Sequence, residues 1–279
     1  MSFAGLRVLS LESRRAKEIE AQIRRLNGAA FVAPSVQERA LEDHSDAIRF
    51  VEGLEAGEFD LVVCMTGAGL AFLRDVVAAH MPVDRFAAGL RRVTIVCRGP
   101  KPVPLLREMQ VPVHVVVPEP NTWKEIVEAV RARQERRIAV QEYGRPNLQM
   151  NAALEDLGAR VTPVAIYRWE LPTDLEPLRE AARRLAECQF DVVLFTSSVQ
   201  LDHLYEVSRL MGIEDRVARA LRENVAIASV GPVMTATLES YGLPADIIPN
   251  HPKMGSLVKA AAESAATVLL AKRIRTPQT

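Results

Sequence analysis

The tetrapeptide Phe59-Asp60-Leu61-Val62 returns 131 residues later as Phe190-Asp191-Val192-Val193, and this repetition decides the fold. The same offset sets Leu70 over Leu201 and Leu73 over Leu204. At an offset of 132, Gly99-Pro100 lies over Gly231-Pro232, Leu106 over Leu238, Pro112 over Pro244 and Pro120 over Pro252. Both stretches read strand, turn, helix, strand, Gly-Pro turn, helix, strand. Two copies of one α/β domain explain that order, and a single domain does not require it.

Around the repeats, short β-branched runs alternate with helical patterns. The runs are Arg7–Leu11, Leu61–Met65, Val93–Cys97, Val113–Val117, Arg137–Val140, Val161–Ile166, Val192–Phe195, Val225–Ser229 and Asp246–Ile248. Most are continuously apolar, as strands covered on both faces by crossover helices are. Helical patterns include Arg15–Leu26, Pro102–Met109, Thr122–Arg133, Asn147–Leu157, Leu175–Glu187, Val233–Tyr241 and Gly255–Leu270. Gly28, Gly158 and Gly242 follow helix ends, where a left-handed cap is favoured. The fold class is therefore α/β, with two similar doubly wound parallel-sheet domains.

The copies are not simply head to tail. A strand and helix at Arg7–Gly28 resemble Arg137–Gly158, which follows the first repeat. The expected path starts domain A with residues 1–35, builds domain B over 37–167, and returns to domain A over 171–270. The crossings near Ala33–Glu38 and Arg168–Pro172 form a two-segment hinge, each holding a proline. Residues 271–279 are expected as a flexible tail.

Composition narrows the function classes. The 279 residues carry 35 Lys+Arg against 35 Asp+Glu, which gives no support to a general nucleic-acid or membrane-surface binder. Cys64, Cys97 and Cys188 are odd in number and far apart, so neither a disulfide framework nor a zinc site is expected. The five histidines lack metal-ligand spacing. No long apolar run suggests a membrane span, and a cytoplasmic monomer is the expectation. Gly67-Ala68-Gly69 opens a dinucleotide fingerprint whose third glycine would fall at Phe72, so that motif fails and a nucleotide-dependent transferase is disfavoured.

Chemistry is expected at the carboxyl ends of the strands, where ligands bind in open α/β sheets. Four loops stand out there: Thr66-Gly67-Ala68-Gly69, Arg98-Gly99-Pro100-Lys101, Thr196-Ser197-Ser198 and Val230-Gly231-Pro232-Val233-Met234-Thr235. Each sets small or hydroxyl residues before a helix, where N–H groups suit carboxylates or phosphates; the same residues also serve as plain caps and turns. Tyr143-Gly144-Arg145 follows another strand, and Arg14, Arg98, Lys101, Arg145, Arg168 and Lys253 could make the cleft basic. Tyr167, at the hinge, is either a hydrogen-bonding phenol or a packing aromatic.

Four segments together resemble the uroporphyrinogen-III synthase family over nearly the full length. They are Phe190–Ser198, Ala228–Ala236, Leu157–Arg168 and His251–Val258. The resemblance implies the same discontinuous two-domain plan. It implies closure of hydroxymethylbilane, a small-molecule polycarboxylate, into uroporphyrinogen III with inversion of the last pyrrole ring and loss of water. No metal or organic cofactor is implied. Tyr167 takes the role of proton donor to the leaving hydroxyl. Thr235, Ser197 and the Gly231-Pro232 loop match substrate-contacting positions. Departures sit in domain B, where Thr66-Gly67 stands in place of the family's Thr-Ser or Ser-Ser and Val103 replaces Thr, and at Ser10-Leu11-Glu12-Ser13-Arg14, an imperfect match to Thr-Arg. They motivate an alternative: a binding protein of the same fold that holds a tetrapyrrole or another polyanion without catalysis.

Overall fold

The computed structural model describes residues 1–275 other than 42, 143 and 145, with 40 and 275 described by backbone alone. Its strands are β1 (Arg7–Ser10), β2 (Ala29–Val32), β3 (Gln37–Ala40), β4 (Leu61–Cys64), β5 (Thr94–Cys97), β6 (Val115–Val116), β7 (Arg137–Gln141), β8 (Arg160–Val164), β9 (Tyr167–Glu170), β10 (Val192–Phe195) and β11 (Ala226–Ser229). The chain divides into two compact units. Unit 1 comprises Met1–Gln37 and Glu170–Thr279, and unit 2 is Glu38–Trp169. The two crossing segments, β3 and β9, pair as a two-stranded sheet.

Unit 1 carries a parallel sheet in the order β11-β10-β1-β2, and unit 2 one in the order β6-β5-β4-β7-β8. In each, the chain adds strands in one direction from a central pair and then in the other. That central pair is β1/β10 in unit 1 and β4/β7 in unit 2, and the crevice beyond its carboxyl ends is the topological switch point. The duplication extends to register. Val8 pairs with Val192 as Ile138 pairs with Leu61, and Val192 pairs with Ala226 as Leu61 pairs with Thr94.

The repeated Phe-Asp pair has a structural reason. Asp191 accepts from Arg7 through its backbone N (2.8 Å), Nε (2.9 Å) and a terminal nitrogen (2.8 Å). Asp60 does the same for Arg137, with Nε at 3.0 Å. Each carboxylate thus clamps the first residue of the neighbouring parallel strand. Hydrogen bonding to the arginine holds both below the usual carboxylate range.

Both sheets are covered on two faces. Leu9, Val193, Phe195 and Ile227 face one core of unit 1, and Val8, Val192, Leu194 and Ala226 face the other. Unit 2 repeats this with Val62, Cys64 and Ile95 against Leu61, Val63 and Val96. This alternation explains the continuous apolar runs.

Several local expectations change. Gly158 and Gly242 do take positive φ (80° and 65°), but at the first helix end it is Asn27 (56°) that turns left-handed. Gly28 is small for packing: a Cβ there would lie 2.7 Å from Ile23 Cγ2 and 3.0 Å from Phe3 Cδ2. The run Asp246–Ile248 forms a single bridge, Ala228 to Ile247, rather than a strand. The last helix, Met254–Arg275, continues through residues expected in the tail, because Lys272 finds buried acceptors there; residues 276–279 lie outside the described region. Contrary to the sequence reading, Met254–Ile274 is long and apolar enough to cross a membrane by length and composition. Its Leu257, Val258, Ala261, Ala265 and Leu269 are buried in the core of unit 1, as a core helix requires.

Candidate functional site

In unit 1 the switch point lies where Leu11–Arg15 follows β1 and Thr196-Ser197 follows β10. Gln200, one turn into the helix Ser198–Leu210, turns its amide back on this loop. Its Oε1 accepts from Thr196 N (2.8 Å) and Ser197 N (3.4 Å), and its Nε2 donates to Thr196 Oγ1 at 2.7 Å. The Thr196 hydroxyl donates to Glu12 Oε2, and the other Glu12 oxygen accepts from Arg15 N at 3.1 Å. The donors expected for an anion at Thr196-Ser197 are thus engaged inside the unit. Ser198 is buried, and Arg14 is exposed on the β1 loop.

After β11 the chain runs through Gly231 in extended conformation (φ 167°) into the helix Pro232–Ser240. A Cβ on Gly231 would lie 3.0 Å from Pro252 Cβ. The Thr235 hydroxyl shares a hydrogen bond with Ser229 Oγ (2.9 Å), while Pro232 and Val233 are exposed. Lys253 is exposed and lines a cavity of about 510 Å³ with Arg15, Glu18, Ser256 and Lys259. This cavity gathers cations beside the first turn of the helix Met254–Arg275.

In unit 2, Thr66 caps the helix Gly67–His80, its hydroxyl accepting from Gly69 N at 3.0 Å. Gln141, the last residue of β7, accepts from Thr66 N at 3.2 Å. The glycines here answer to packing. A Cβ on Gly67 would lie 2.5 Å from the Lys101 carbonyl oxygen, and one on Gly69 would collide with Gln141 Nε2. Gly99 sits against Asn121; with its amide turned to satisfy its neighbours, Asn121 donates to Val117 O (3.1 Å) and Arg98 O (2.9 Å). Arg98 is half-buried and Lys101 exposed. Gly144 has φ 74°, and a Cβ there would collide with the Trp169 ring. Tyr143 and Arg145 lie outside the described residues. Tyr167 is 3% exposed, its ring stacked on Phe72 with centroids 5.5 Å apart.

The structure therefore gathers Arg14, Thr196, Ser197 and Ser198 at one switch point, and Thr66, Gly67 and Gly144 at the other. Gly231, Pro232, Val233 and Thr235 lie one strand further out in unit 1, as Arg98, Gly99 and Lys101 do in unit 2. Sequence reasoning missed four side chains, Glu12, Gln200, Gln141 and Glu142. Glu142 is 8% exposed, and among the described residues its Oε1 has no hydrogen-bond partner. Burial, with Asp46 nearby adding like charge, raises its pKa. A signal for the two glutamates existed: the offset of 130 that sets Arg7 over Arg137 also sets Glu12 over Glu142. Three of the five histidines bond backbone groups. His203 Nδ1 meets Ser35 O at 2.6 Å, His80 Nδ1 meets Val76 O at 2.8 Å, and His114 accepts from Ile95 N at 3.0 Å.

Residues 17–259 match the family described as uroporphyrinogen-III synthase HemD. The chain is 25% identical over 259 residues to the Bacillus subtilis protein YjjA, which is named as uncharacterized, covering 91% of this chain and 94% of that one. It is 26% identical over 253 residues to a Methanothermobacter thermautotrophicus protein provisionally named uroporphyrinogen-III synthase, covering 90% and 94%. A crystal structure of a mutant uroporphyrinogen III synthase from Thermus thermophilus superposes with a TM-score of 0.72 at 22% identity, covering 95% of this chain and all of that one; it shows a shared fold. A match spanning most of the chain, on a fold of two parallel-sheet units, leads to one conclusion: this chain belongs to the uroporphyrinogen-III synthase family.

Proposed function

We propose that the chain closes hydroxymethylbilane into uroporphyrinogen III, inverting the terminal pyrrole ring and releasing water. The family match over residues 17–259 carries this reading. The substrate bears carboxylates, and the exposed Arg14, Lys101 and Lys253 supply cations near the strand ends. The reaction first expels the hydroxyl with a proton, giving an azafulvene cation. A substituted carbon of the last ring then attacks, and a spiro intermediate rearranges. Because the type I isomer forms without help, most of the catalysis lies in holding the chain in the productive fold. The test is incubation with hydroxymethylbilane and chromatographic separation of the isomers. Type III product is expected, and type I alone, as in a blank, overturns the reading.

A second reading, a tetrapyrrole-binding protein without turnover, is motivated by the altered loops of unit 2, where Gly67 and Val103 stand in place of hydroxyl residues. Retained binding of uroporphyrinogen III with only type I product would support it.

A further inference from the structure

Each switch point holds a glutamate at the same place in the repeat, and the two are used differently. Glu12 is an acceptor on both oxygens, from the Thr196 hydroxyl and from Arg15 N. Glu142 follows β7 as Glu12 follows β1, and its backbone N donates to Val164 O at 3.0 Å. The residue is more than nine-tenths buried, and among the described residues Oε1 meets no donor. An ionised carboxylate in that setting bears the full desolvation cost, whereas a protonated one bears much less. Among the described residues, Asp46, at the start of the helix Ser45–Glu55, adds like charge that acts in the same direction. A buried carboxyl with an unpartnered oxygen favours its protonated form, and at the carboxyl end of a switch-point strand it is placed to give up that proton.

We propose that Glu142 is the acid that protonates the leaving hydroxyl of hydroxymethylbilane. The assignment rests on the synthase reading above and names the proton source within it. The Glu142 O–H bond breaks and its proton joins the hydroxyl oxygen. The carbon–oxygen bond breaks with its electron pair leaving in water, and the pyrrole nitrogen lone pair forms the azafulvene. Glu142 is left as a carboxylate, and the proton released when the inverted ring regains aromaticity returns to it. The sum is hydroxymethylbilane to uroporphyrinogen III plus water.

Two variants test this. Glu142→Gln keeps the volume and cannot transfer the proton. It is expected to lower kcat by about 10²-fold to 10⁴-fold while KM stays within about threefold. In the wild type, kcat should fall as pH rises through the Glu142 pKa, and that limb should vanish in the variant. Glu142→Leu removes the orphan oxygen, so it should unfold at higher temperature yet be as inactive. Infrared difference spectra of wild type against Glu142→Gln should show a protonated-carboxyl band that persists to higher pH than that of a solvent-exposed glutamate. Either variant turning over at wild-type rate, or absence of that band, overturns the assignment while wild-type type III product leaves the synthase reading standing. Type I product alone from the wild type overturns both.

Discussion

Lys272 and Asp246 offer the sharpest test of how unit 1 is held together. Lys272 is 9% exposed, and its Nζ lies 2.7 Å from Asp246 Oδ2, 2.7 Å from Val225 O and 3.3 Å from Leu221 O. Asp246 Oδ2 also accepts from Ile227 N at 2.8 Å, so the pair ties the last helix to the edge strand β11. Burial pushes the Lys272 pKa down, and Asp246 opposes that shift. Asp246→Asn leaves the ammonium buried without its counter-charge, a loss of about 3–5 kcal/mol. The Asn oxygen can still accept from Ile227 N, so the effect isolates the charge. Removing both partners, as Asp246→Leu with Lys272→Met, should be neutral or stabilising by about 1–4 kcal/mol. The assay is urea unfolding followed by circular dichroism with an unchanged m value, alongside amide exchange at Ile227. The pH dependence has a definite sign. A lysine whose folded pKa is lowered loses protons in the folded state first, so the Asp246→Asn penalty should shrink as pH rises from neutrality toward the unfolded lysine value near about 10.4. A single-variant loss under about 1 kcal/mol, or a penalty that grows with pH, refutes the reasoning.

Asp191→Asn should cost about 1 kcal/mol, discounted because Arg7 is substantially exposed. The wild-type advantage should be present above about pH 4 and fade as pH falls through the lowered folded value of Asp191, as acid titration of both proteins would show. Gly144→Ala forces a side chain into φ 74° and against Trp169, so it should lose about 2 kcal/mol or more and shift tryptophan emission. Tyr167→Phe keeps the ring on Phe72, so stability should drop by no more than about 1.5 kcal/mol. Its turnover should fall far less than that of Glu142→Gln; an equal fall would return the acid role to Tyr167.

The strands at the centre of each sheet were legible because burial on both faces demands unbroken apolar runs, as in Val192–Phe195 and Leu61–Cys64. The duplicated plan was legible because Asp60 and Asp191 clamp the same arginine in each copy, and so stand in the same sequence context. Edge and connecting strands were not. Gln37–Ala40 has a polar sequence and is a strand only because it pairs with Tyr167–Glu170. The loops stand at strand ends, but which of their donors are engaged internally was not legible. Thr196 and Thr66 read as open donors, whereas Gln200 and Gln141 reach back to fill them.

What the sequence determined by itself was local and periodic: the central strands of each sheet, the helices that alternate with them, and that one unit occurs twice. Tertiary structure alone decided which polar groups meet. Glu12 and Thr196 are 184 positions apart and share a hydrogen bond, while Glu142, at the matching place in the other unit, is buried with an unpartnered oxygen. Strand propensity depends on neighbours along the chain. The protonation of a carboxyl depends on the donors and charges that folding brings within a few ångströms of it, and no local pattern encodes those.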